Sequence, residues 1–194
     1  MIAVSSLCVF CGSKLGNDDA YRAAAEALGA AMLARGVSLV YGGGRIGIMG
    51  VLAETVLGGG GYVTGIIPDF LLKYEVGNLD VSELIVTETM HDRKRQMFER
   101  ADGFVILPGG LGTLEEAFEI ITWKQLRVHT KPIVVFDVAG YWQPLSDLVA
   151  RAIEADFAHP AVAELFTVVD TAEDVFAALA DAPEPKPEVL ADHL

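Results

Sequence analysis

Residues 107–116 read LPGGLGTLEE. Three glycines and a proline follow an apolar run, and a helix opens at once on two glutamates. Glycine lets backbone N–H groups approach an anion, and a helix N-terminus adds partial positive charge. The pattern suits a phosphate held by the amides of Gly110, Gly112 and Thr113, with the Thr113 hydroxyl adding a bond. Glu115 and Glu116 would repel that phosphate if they touched it. At about 1.5 Å of rise per residue, Glu116 lies roughly 5 Å farther along the axis. One molecule can satisfy both features, with its phosphate at the loop and a hydroxyl or reacting carbon nearer the carboxylate. A ribose 5′-phosphate has that extent. A second reading stands beside it: the glutamates complement the helix dipole, worth about 0.3–1 kcal/mol each.

A second constellation is MHDRKRQMFER at 90–100, with Arg93, Lys94, Arg95 and Arg100. These are four of the fourteen basic residues. Cations at the start of a helix oppose its dipole unless an anion compensates. The run is either a solvated face or one side of an anion site. Two more segments, CGS at 11–13 and YGGGRIGIMG at 41–50, also follow strand signals and can line the same crevice. None of the glycine loops is a Walker A or a clean G-x-G-x-x-G, so no dinucleotide cofactor is expected. His91 has no histidine or carboxylate one helical turn on, so no metal is expected. Cys8 and Cys11 point to opposite faces of a strand, which disfavours a disulfide or a shared metal.

These segments must be positioned by regular elements, and the chain alternates them throughout. Strands are expected at AVSSLCVF, VSLVY, GYVTGIIP, LIVTET, GFVIL, KPIVVFD and LFTVVD. Helices are expected from Asp18–Asp19 to near Gly36, from the GGGRIGIMG loop to Leu57, and after Thr89. Further helices follow at about 113–128, at 143–156 and over AEDVFAALAD. The glycine run at 58–61 has no strand before it and reads as a connection. Several strands are unalternating Val/Ile/Leu runs, as in parallel sheets covered on both faces. The fold class is therefore α/β: doubly wound, a mostly parallel sheet of about seven strands with helices on both faces. Ligands in such sheets bind outside the carboxyl ends of strands. One domain is expected over 1–182, with a mobile Pro-rich tail over 183–194.

Composition sets the outer limits. The chain has 194 residues, 52% hydrophobic and 21% charged, enough for one domain with a sizeable core. Its net charge of −13 argues against nucleic acid or an anionic membrane as partner. No stretch suits a bilayer span, and the start has no basic n-region, so a cytoplasmic protein is expected. On the helix at 113–128, Leu114, Ala117, Phe118 and Ile121 form one apolar stripe. Ile120, Trp123 and Leu126 form another. A helix apolar on two sides predicts a second covering surface, and hence a homodimer.

PGGLGTLEE fits PGGxGTxxE, and MHDRK fits MHxRK. Together, in this order, they resemble the LOG ("Lonely guy") family of cytokinin riboside 5′-monophosphate phosphoribohydrolases, over about residues 3–180. The resemblance implies a Rossmann-like fold and removal of the base from an N6-modified adenosine 5′-monophosphate. The products would be free base and ribose 5-phosphate, with no cofactor or metal. It implies Arg93 and Glu116 as the catalytic pair. It implies substrate binding by Arg93, Lys94, Gly109, Gly110, Leu111, Gly112, Thr113, Leu114, Glu115, Glu116 and Thr122, and by Glu75 in KYEVGN. Ser13, Gly43, Gly44 and Met90 lie in segments that match the family's as well. Relatives are often labelled lysine decarboxylases, yet nothing in the sequence suggests a pyridoxal phosphate lysine. The alternative is a nucleotide-binding or carrier protein of the same fold, like the molybdenum-cofactor carriers, which would not need Arg93 and Glu116.

Overall fold

Seven strands alternate with seven helices along the described residues, 4–72 and 77–182, of the computed structural model. The strands are β1 (Ser6–Phe10), β2 (Ser38–Tyr41), β3 (Val63–Pro68), β4 (Glu83–Thr87), β5 (Gly103–Ile106), β6 (Ile133–Phe136) and β7 (Thr167–Val169). The helices are α1 (Asp19–Ala34), α2 (Gly47–Gly58), α3 (Asp69–Leu72), α4 (Met90–Glu99), α5 (Leu111–Gln125), α6 (Gln143–Glu154) and α7 (Ala172–Ala180). The sheet order is β4-β3-β2-β1-β5-β6-β7, and all six pairings are parallel. The expected "mostly parallel" sheet is thus wholly parallel. The tail at 183–194 lies outside the described residues.

Two apolar layers cover the sheet. On one side, Leu7, Val9, Leu39 and Val105 pack with Leu28, Met32, Leu52 and Val175 from α1, α2 and α7. On the other, Cys8, Phe10, Phe104 and Val135 pack with Met97, Ala117, Ile120 and Leu145 from α4, α5 and α6. Period-2 alternation sends Cys8 into the second layer, and Cys11 lies in the first. Both thiols are free and buried, as their spacing predicts.

Local chemistry explains where the helices start. The Asp18 side chain accepts from the Ala20 N–H at 2.8 Å, and the Thr89 hydroxyl accepts from the Asp92 N–H at 3.0 Å. The Thr89 hydroxyl also donates to the Asp92 carboxylate, so this pair bonds side chain to side chain. α5 begins two residues before the expected Thr113, because extended Gly110 serves as its N-cap. It stops at Gln125, short of Val128, where Arg127 takes a φ of 59°. Its apolar stripes also partition differently. Thr113, Glu116, Ala117, Ile120, Ile121 and Lys124 form the buried face, while Phe118 and Leu126 are exposed.

Lys124 is 1% exposed, and its ammonium has no hydrogen bond or ion pair among the described residues. Burial lowers its pKa to about 8. Between pH 8 and the ordinary lysine range the unfolded chain binds more protons, so stability rises with pH there. Below pH 8 the full cost of burying the charge is present. Lys124→Met, of similar volume, is expected to raise the melting temperature at pH 7, by about 1–3 kcal/mol of stability. The gain should shrink as pH rises past 8. Thermal unfolding of both proteins across pH 7–10 checks this.

Candidate active site

β1 is flanked by β2 on one side and β5 on the other, so successive connections diverge at its carboxyl end. This is the switch point where open α/β sheets hold ligands. The loops after β1, β2 and β5 meet there. Gly12 N–H donates to Pro108 O at 3.0 Å, and Met49 N–H donates to Gly12 O at 3.2 Å. The approach leaves no room for side chains. A Cβ on Gly12 would sit 3.2 Å from the Gly109 Cα, and one on Gly109 would sit 2.1 Å from the Thr113 Oγ1. Gly110 and Gly112 are different, because a Cβ there meets nothing within 4 Å. Packing does not require glycine at those two positions, and the space beside the first turn of α5 is open.

Arg93 and Glu116 converge on this opening. Arg93 is 6% exposed. Its Nε donates to Ile66 O and its Nη2 to Gly42 O, both at 3.1 Å. Its Nη1 contacts Met90 Sδ at 3.4 Å and lies 3.8 Å from Glu116 Oε1. The guanidinium is therefore a fixed positive plate that ties α4 to the ends of β2 and β3. Gly42 makes room for it, since a Cβ there would fall 2.1 Å from Nη2. Lys94 turns the other way and pairs with Glu115, and with Glu119 at 2.9 Å. Burial alone would lower the Lys94 pKa, but the hydrogen bonds its ammonium donates to Glu115 and Glu119 outweigh it and raise it.

These pairs account for both opening puzzles. The cations at the start of α4 are compensated by carboxylates of α5. Glu115 has a lysine partner, and only Glu116 of the two faces the cleft. The rest of the basic run is surface: Arg95 pairs with Asp92, and Arg100 with Glu83.

The cleft around the pair has a volume of about 210 Å³. Its walls include Ser13, Arg93, Gly110, Leu111, Gly112, Thr113 and Glu116 from the expected set. Cys11, Gly42 and Met49 also line it, from the segments 11–13 and 41–50 expected at the crevice, though none was singled out as a site residue, and neither was Met97 of the basic run. Met97 was the most accessible of these, since i and i+4 from Arg93 share a helix face. The Cys11 thiol is pushed up by burial and by the nearby Glu116, which leaves it protonated and unsuited to nucleophilic work.

Other expected residues lie off these walls. Gly43 and Gly44 bond to Asn78 and Gly77, and Leu114 is half-buried against the α5 layer. Gly109 supports the loop from behind, Thr122 is exposed farther along α5, and Glu75 falls outside the described residues.

A second lobe of about 340 Å³ adjoins the first at Gly12, Ser13 and Gly110. Tyr141 stands in its wall and donates from its hydroxyl to Gly109 O at 2.5 Å. In a trans peptide the carbonyl and the following N–H point in opposite directions. Fixing Gly109 O therefore fixes the direction of Gly110 N–H. Tyr141→Phe is expected to weaken phosphate-bearing ligands by about 1 kcal/mol, roughly fivefold in KM, with kcat nearly unchanged. Steady-state kinetics on the variant separates the two constants.

Against this geometry the comparisons with known proteins are specific. A family described as "Possible lysine decarboxylase" matches residues 49–179. Cytokinin riboside 5′-monophosphate phosphoribohydrolase LOG1 of Arabidopsis thaliana is 41% identical over 175 residues, 90% of this chain and 82% of that protein. This chain belongs to the LOG family. A rice relative, the probable phosphoribohydrolase LOGL9, is 48% identical over 82% of this chain and 70% of its own length. The Moco carrier protein of Chlamydomonas reinhardtii shares the fold, with a TM-score of 0.69, 20% identity and coverage of 98% and 99% of the two chains. Membership of the LOG family accords with the cleft's chemistry. No lysine lines the Arg93–Glu116 lobe among the described residues, so decarboxylation through a lysine-bound cofactor has no anchor there.

Proposed function

We propose that this protein hydrolyses the N-glycosidic bond of N6-modified adenosine 5′-monophosphates, giving free base and ribose 5-phosphate. The observation that carries the reading is the buried Arg93–Glu116 pair beside the open amino end of α5. The 5′-phosphate rests on the amides of Gly110–Thr113, where the helix dipole favours an anion. The ribose then lies along the first turn of α5, toward Glu116. As the C1′–N bond lengthens, positive charge grows on the ring, and a fixed carboxylate beside it stabilises that charge. Water bonds to C1′ as the base departs, and the base gains a proton. Glu116 orients the water or a ribose hydroxyl. Arg93 holds Glu116 in place and adds a positive wall near the leaving group. This division of labour favours hydrolysis over the carrier reading, because a carrier needs the glycine loops and not the pair.

The proposal includes a homodimer in the cytoplasm. Leu111, Phe118, Leu126 and Val128 are 84%, 38%, 51% and 62% exposed on or just after α5. Such an apolar row favours a covering subunit. The expected light-scattering mass at micromolar concentration is twice the 20.7 kDa of the chain, and a monomer mass would contradict the dimer. Two free thiols suit a reducing compartment, and no helix among the described residues is long and apolar enough to cross a membrane.

Incubation of the protein with N6-isopentenyladenosine monophosphate and with AMP, followed by chromatography, tests the activity. Equal amounts of base and ribose 5-phosphate are expected, with EDTA making no difference. Nucleoside and inorganic phosphate, or no product, would count against it.

A further inference from the structure

Arg93 takes one of its two carbonyl acceptors from the least rigid kind of backbone. Gly42, Gly43 and Gly44 follow β2 in succession, and Gly43 has a φ of 75°. Glycine has the widest choice of conformations and loses the most entropy when fixed. Left to itself, such a run would not keep Gly42 O at 3.1 Å from Nη2 of Arg93. The segment Gly77–Asp80 lies across the run and restrains it. Gly44 and Gly77 form an antiparallel bridge, and the Asn78 N–H donates to Gly43 O at 2.9 Å. Arg45 and Asp80 are 3.7 Å apart and exposed, so their pairing adds little. Gly43 bears on the second acceptor as well. A Cβ built on it would fall 3.2 Å from Ile66 N, in the residue whose carbonyl takes the Arg93 Nε.

Asn78 is the buried member of this strap. It is 2% exposed, although Leu79 beside it is 78% exposed. Its Oδ1 accepts from the Asp80 N–H at 3.2 Å, which closes the turn that starts at Asn78. Its side chain is also the polar neighbour of the Tyr41 hydroxyl, which is buried in the apolar layer and makes no regular hydrogen bond among the described residues. We infer that Asn78 is a positioning residue: by fixing the turn that clamps Gly43, it holds Gly42 O against Arg93, and through Arg93 it holds the Glu116 carboxylate. The inference rests on the proposed work of the Arg93–Glu116 pair. Asn78 lies off the cleft walls, so it acts through the pair and not on the substrate.

Base release from N6-isopentenyladenosine monophosphate tests this in the wild type, Asn78→Ala, Asn78→Ser, Glu116→Gln and each Asn78 variant combined with Glu116→Gln. All are assayed well below their melting temperatures. Asn78→Ala is expected to lower kcat about ten- to a hundredfold with KM within about twofold, because small misplacements of catalytic groups cost that much. Asn78→Ser keeps an acceptor for the Asp80 N–H but loses the contact with Tyr41. It is expected to fall between, about three- to tenfold below the wild type, and it carries the same comparison if Asn78→Ala does not fold. In the Glu116→Gln background the same changes are expected to cost no more than about twofold, because two changes on one path do not add. A merely structural role would lower both backgrounds alike. A wild-type kcat in the folded Asn78 variants overturns the inference and spares the proposed function, and so does an equal fall in both backgrounds. If the wild type itself releases no base, the proposed function falls and takes the inference with it.

Discussion

Glu116→Gln is expected to lower base release by about 10²–10⁴ while the protein folds and still binds nucleotide. The amide matches the carboxylate in shape, so the buried face of α5 keeps its packing. What disappears is the charge: a neutral amide neither stabilises an oxocarbenium ion nor accepts a proton. Binding should hold or tighten, because a carboxylate beside a phosphate-bearing ligand disfavours the ground state. Nucleotide affinity and turnover are both measured on the variant. Near wild-type release would return Glu116 to a helix-dipole role.

Arg93→Ala has the second large effect, and its signature differs. The side chain serves two backbone acceptors, Ile66 O and Gly42 O, as well as Glu116. Its loss takes the donors from two buried carbonyls and removes the guanidinium 3.8 Å from Glu116. The expected cost is about 3 kcal/mol or more, since each charge-assisted bond contributes about 1.5–3 kcal/mol. Turnover should fall too, even below the variant's melting temperature, because Glu116 loses its fixed neighbour. Arg93→Lys should rescue little: one ammonium cannot reproduce a planar fork aimed at two carbonyls. Thermal denaturation with steady-state kinetics checks the pair. An Arg93→Ala protein with an unchanged melting point would contradict the anchoring role.

Much of this was legible in the sequence because it is local. The caps at Asp18 and Thr89, the strand alternation that separates Cys8 from Cys11, and the open glycines at 110 and 112 depend on residues within a few positions. The layer order and parallel pairing followed from the alternation of elements. The partners of the basic run did not. Arg93 reaches carbonyls 27 and 51 residues away, and Lys94 reaches carboxylates 21 and 25 residues away. Those contacts exist only once α4 lies against the ends of β2 and β3 and beside α5, so the sequence left open whether the compensating anion belonged to a ligand or to the protein. The buried face of α5 was misassigned for a related reason. Periodicity gives apolar positions, but here the sheet side also buries Thr113, Glu116 and Lys124.

The central claim is that one cleft seats the phosphate at the amino end of α5 and the scissile carbon at Glu116. A crystal structure of Glu116→Gln with AMP tests it most directly. The account predicts phosphate oxygens about 3 Å from the amides of Gly110–Thr113, with C1′ beside residue 116 and Arg93 behind it. A phosphate bound instead against Arg95 and Arg100 on the outer face of α4, with the cleft empty, would contradict it.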